Sequence, residues 1–128
     1  KKFKNYSSIS INFLTGDDKF IIYGISGINY YGQKIKNCLK KKDEILIDLK
    51  NLNLKINETK KIKSHQFDKS KKSKSHMSIF EFDNGDEIRV ECHDWTKKMT
   101  KKHNLEDQLI VSTLHSKFAI FLTNEAYK

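Results

Sequence analysis

A chain of 128 residues, 37% hydrophobic and 32% charged, holds enough apolar content for one folded core and too little length for two independent domains. With two cysteines and no proline it is neither a disulfide-dense scaffold nor a proline-rich spacer. No apolar run approaches the ~18 residues that a bilayer-spanning helix needs, and no GxxxxGK[ST] loop is present for a P-loop nucleotide site.

The formal charge is +9, and Arg89 is the only arginine, so 24 of the 25 basic residues are lysine. With abundant Asn and Ile, this skew points to an AT-rich genome, which makes part of the charge codon usage rather than selection for a polyanion. Cys38 and Cys92 stand far apart without the spacing of a secreted framework, so both are read as reduced and buried, in an intracellular (cytoplasmic or nuclear) setting. No signal peptide follows the basic start, and without an initiating Met the chain reads as an excised piece.

In chain order, Ser8–Phe13 alternates with period two and a turn follows at Thr15-Gly16-Asp17-Asp18. Phe20–Tyr23 then returns as a second strand, giving a hairpin. Ile28, Tyr31, Ile35, Cys38 and Leu39 fall at spacings of three and four, which predicts a helix over 29–42 closed by Lys40-Lys41-Lys42. Glu44–Leu49 and Leu52–Ile56 alternate again and are predicted as two short strands, or one with a bulge. Residues 57–76, rich in lysine and poor in apolar residues, read as a basic linker. Ser78–Phe82 and Ile88–His93 flank Asp83-Asn84-Gly85-Asp86, the clearest hairpin in the chain. A short helix is predicted over 94–103, and a last hairpin pairs 108–112 with 118–122.

These elements predict a single α+β domain over 1–128, mainly antiparallel β with two helices. The halves 7–56 and 77–123 share an order, and Phe13-Leu14-Thr15-Gly16-Asp17 aligns with Phe82-Asp83-Asn84-Gly85-Asp86, as a duplicated ββαββ unit forming a curved sheet would leave behind. In element order alone the chain resembles the TBP-like and Whirly-like nucleic-acid binders, a likeness of fold that carries no function by itself.

Lys60, Lys61, Lys63, Lys71, Lys72 and Lys74, with Lys97, Lys98, Lys101 and Lys102 on the second helix, suit a phosphate backbone, which lysine contacts as a point charge. A single arginine leaves little bidentate reach to guanine, so base-specific readout is not expected. Tyr30, Tyr31 and Trp95 are the aromatic candidates for stacking, and the last two are expected in the core. Glu81, Arg89, Glu91 and His93 share the polar face of the second hairpin. Its Gly-Asp turn followed by Glu91-Cys92-His93 loosely resembles the PD-(D/E)XK nucleases, which hold a metal with Asp and Glu and place a Lys two residues after the Glu. His93 stands at that Lys here, and a solvated strand face is the plainer reading.

His65, His76, His93, His103 and His115 also offer metal-free acid–base chemistry of the kind found in small basic nuclease toxins. Thr113, His115 and Lys117 would share one side of a strand or turn. Closed-site zinc spacing is absent, and no metal or cofactor is expected. The favoured reading is therefore a non-enzymatic polyanion-binding module contacting RNA or DNA. The alternatives are a small nuclease using His93, Glu91 and Glu81 or His115, Thr113 and Lys117, and a protein-interaction domain whose lysine excess is background.

Overall fold

Phe80, Val90 and Cys92 point to one side of a two-stranded hairpin, as their spacing requires. In the computed structural model, which describes residues 5–126, this hairpin is β4 (Lys74–Glu81) and β5 (Glu87–Asp94). Gly85 takes φ +82° in the turn, a conformation costly for any residue with a Cβ. Around the hairpin lie β1 (Ser8–Phe13), β2 (Ile22–Tyr30), β3 (Asn57–Ser64) and β6 (Gln108–Leu114). One antiparallel sheet results, in the order β1-β2-β6-β5-β4-β3, so the fold is α+β.

Helix α1 (Ile35–Asn51) lies across β5 and β6 on one face. Its buried row Cys38, Lys42, Leu46 recurs every four residues, and the core joins Cys38 and Leu46 to Phe80, Val90, Cys92 and Leu109. Lys42 buries its stem here and its Nζ donates to Ser78 Oγ at 3.0 Å. The short α2 (Lys97–His103) is capped by Thr96, whose side chain accepts from Met99 N, and ends at Asn104 in the left-handed conformation. Helix α3 (Ser116–Asn124) packs on the other face, where Arg89 donates to Ala119 O and Thr123 Oγ1.

The clearest hairpin forms as expected, and the first forms with a shifted second strand: β1 pairs with Ile22–Tyr30 and not with Phe20–Tyr23. The predicted strands over 44–56 are instead mostly the second half of α1, because nothing between Lys34 and Asn51 breaks a helix once it has started. The predicted helix over 29–42 begins only at Ile35, since β2 continues to Tyr30. The expected basic linker 57–76 is largely structured: β3 pairs along its whole length with β4, and residues 65–73 form a tight loop. The last hairpin is a strand followed by α3, which makes three helices where two were expected. The halves 7–56 and 77–123 run β1-β2-α1 and, from within β4, β4-β5-α2-β6-α3, so neither is a ββαββ unit and the duplication is not supported. Their places in the sheet are also not equivalent, since β6 adjoins β5 whereas β3 lies at the far edge from β2.

Cys38 and Cys92 are joined in a disulfide, not reduced as expected. Both are fully buried, and the helix row that places Cys38 over β5 sets their Cα atoms 6.0 Å apart. Disulfides persist in non-reducing compartments, so the ground for the intracellular expectation is removed. No helix among the described residues is long and apolar enough to cross a membrane.

Candidate functional site

The lysines converge because of the topology. The rows Ser64–Lys74–Asp94 and His93–Gln108–Tyr30 mark one end of the sheet. At that end the 65–73 loop leaves β3 and α2 leaves β5. The two are tied where Thr96 N donates to Ser73 Oγ at 3.1 Å and where the Phe67 and His103 rings meet at 5.1 Å. Lys63, Lys69, Lys71, Lys72 and Lys74 therefore share an end with Lys97, Lys98, Lys101 and Lys102. Of these only Lys74 is partly buried, its Nζ donating to Ser64 Oγ and Lys71 O. Lys60 and Lys61 lie mid-strand on the β3 edge, and Lys60 Nζ is 3.8 Å from Glu58.

Acidic residues at this end are largely turned inward. Asp68 Oδ1 accepts from Ser70 N and Oγ, and Oδ2 from Ser73 N and Oγ, at 2.7–3.0 Å. The Ser70 and Ser73 bonds hold its carboxyl well below the usual carboxylate range. Asp107 is buried under the Trp95 backbone N–H, and burial raises it. Asp94 and the exposed Glu106 remain as local negative charge. Most other strand and turn carboxylates, Asp17, Asp18, Glu58, Glu81, Asp83, Asp86 and Glu87, collect toward the opposite end, where the strands meet as Asn57–Glu81–Glu87–Leu114.

Behind the basic end, on the face that carries α3, a hollow of about 160 Å³ is lined by Lys61, Lys63, His65, Arg89, Glu91 and His93. His65 Nδ1 accepts from Phe67 N, and its ring stands 4.7 Å from His93 and 4.2 Å from Trp95. Burial, reinforced by the neighbouring His93, lowers its pKa to about 4. Gln108 Nε2 lies 3.2 Å from His93 Nδ1. An amide N–H donates, so Nδ1 accepts and Nε2 carries the proton toward Glu91 Oε2, 3.4 Å away. Burial acts to raise Glu91, but the His93 hydrogen bond and the charges of His93, Arg89 and His65 outweigh it, leaving the carboxyl below its ordinary value.

Of the catalytic candidates, only His93 and Glu91 come together, joined by His65. Glu81 is exposed at the opposite end of β4 and faces Glu87 across the ladder. Thr113, His115 and Lys117 are exposed near the end of β6. There His115 Nδ1 caps α3 by accepting from Lys117 N, and the His115 ring stands 5.2 Å from Tyr23. Trp95 and Tyr31 pack in the interior as expected, while Tyr30 is exposed. Among the described residues no three His, Cys, Asp or Glu side chains are grouped to hold a metal. Sequence reasoning missed Asp68, although its spacing to Ser70 is that of an Asx turn. No protein-family model, curated protein or solved structure matches this chain.

Proposed function

We propose that this chain binds a polyanion, a nucleic-acid backbone, at the basic end of its sheet. The observation that carries the reading is the meeting of two lysine runs, one around the 65–73 loop and one on α2, over a loop whose carboxylate faces inward. Nine lysines at one end of the sheet supply affinity through counterion release, with little base identity. Phe67, exposed beside His103, offers a stacking surface for an unpaired base. Binding to labelled single- and double-stranded RNA and DNA across a salt series tests it. Negligible affinity at low salt would sink the proposal.

Acid–base cleavage of the bound strand is the second reading, favoured by the gathering of His65, His93 and Glu91 beside Lys61 and Lys63. The engaged nitrogens of His93 and the burial of both rings fit a structural network better. A denaturing gel separates the two: cleavage by the wild-type chain that His93→Gln abolishes would promote the nuclease.

A further inference from the structure

In a chain that is 32% charged, residues 5–16 and 20–33 carry no charged side chain. These runs hold both strands of the β1–β2 hairpin, whose turn carries Asp17, Asp18 and Lys19, and β1 is one edge of the sheet. The other edge, β3, is guarded as edges usually are, by Glu58, Lys60, Lys61 and Lys63. On β1 the usual pattern is reversed. Ile9, Ile11 and Phe13 are 39%, 48% and 49% exposed, while Ser8, Ser10 and Asn12 are half-buried. Ile25, directly across from Ile11, is 43% exposed, so the apolar surface runs on into β2, beside the strands β5 and β6 on which α1 chiefly packs. An unpaired backbone edge beside a contiguous apolar patch is a surface built for another strand.

We infer that two copies of this chain pair β1 to β1, antiparallel, about a two-fold axis through Ser10, and so extend the sheet from six strands to twelve. An axis normal to the sheet keeps each face on its own side, and opposed residues must share a face, so the axis passes through a residue and not between two. Centring on Ser10 sets Ile9 against Ile11 of the second copy and Ser8 against Asn12. It also stops short of the ladder irregularity between Asn12 and Phe13. The occupant is a second copy because the two strands of this hairpin carry no charge, so that two chains of charge +9 approach along β1 without like charges opposed there. An acidic or basic partner segment would find no opposite charge along the two strands, since Asp17, Asp18 and Lys19 are confined to the turn.

Sedimentation of the 128-residue chain over a concentration series tests the inference. Expected is a mass of twice 15.1 kDa that falls to the single-chain value on dilution. Ile9→Lys and Ile11→Lys, both at exposed positions, hold the single-chain mass while keeping the wild-type circular dichroism. Independently, Ser10→Cys forms a covalent dimer on a non-reducing gel, and Thr59→Cys on the opposite edge does not. A single-chain mass at every concentration up to the solubility limit overturns the inference. So does a dimer that both lysine variants leave intact and Ser10→Cys fails to cross-link, which would place the contact elsewhere. If the lysine variants do not fold, the cysteine pair decides.

Discussion

His65 is a buried base whose proton is unwelcome. Its folded pKa of about 4 lies below the unfolded value near 6.5, so between these limits the unfolded chain binds more protons and stability rises with pH. The full contribution is present above pH ~6.5 and is lost as pH falls toward 4, a loss of roughly 3 kcal/mol. Denaturant unfolding at pH 7 and at pH 4.5 checks this, and His65→Gln is expected to flatten most of the difference. Asp68 acts in a lower window, since its depressed carboxyl keeps contributing until pH falls below the ordinary Asp range. Asp68→Ala strips four acceptor contacts from Ser70 and Ser73 and is expected to cost about 2–3 kcal/mol at pH 7. A loss under ~0.5 kcal/mol in the same unfolding assay would show the loop is held by other means.

Glu91 and His93 were visible in the sequence as neighbours on one strand face, because a period of two guarantees it. His65 was legible as a histidine but not as their partner, since it arrives from the far end of β3 by a pairing that no local pattern encodes.

Among the elements, α1 is the one that the disulfide secures. Cys38 and Cys92 close a separation of 54 residues and pin the helix to β5, so Cys92→Ala is expected to lower stability by about 2–5 kcal/mol. Thiol titration of the unfolded chain checks the premise: none before reduction, two after. The sequence misled at this helix for a physical reason. Glu44-Ile45-Leu46-Ile47-Asp48-Leu49 alternates like a strand, yet Leu46 falls four residues after Lys42 and eight after Cys38, and the helical period wins by burying that row. Ile47, which completes the apparent alternation, is left 60% exposed. Phe118–Leu122 was equally ambiguous, a short apolar run that periodicity cannot assign to strand or helix. The β4–β5 hairpin, with strong alternation and Asn-Gly in its turn, left no such choice.

At the scale of the whole molecule, charge is sorted along the strands: lysine at the loop and α2 end, carboxylate at the turn end. The sequence shows both lysine runs but separates them by the whole β4–β5 hairpin. Only the antiparallel return of β5 beside β4 brings α2 back to the 65–73 loop, so each run was legible and their union was not. The most direct measurement is the salt dependence of oligonucleotide binding by the wild-type chain and by a variant with Lys97, Lys98, Lys101 and Lys102 changed to alanine. Lysines that contact phosphate make log affinity fall linearly with log salt, and removing four of them lowers the slope by roughly three. A shallower slope for the variant, with uniform weakening across sequences, is the result that the basic end predicts. An unchanged slope, or no binding at low salt, would contradict it and leave the lysines as background charge.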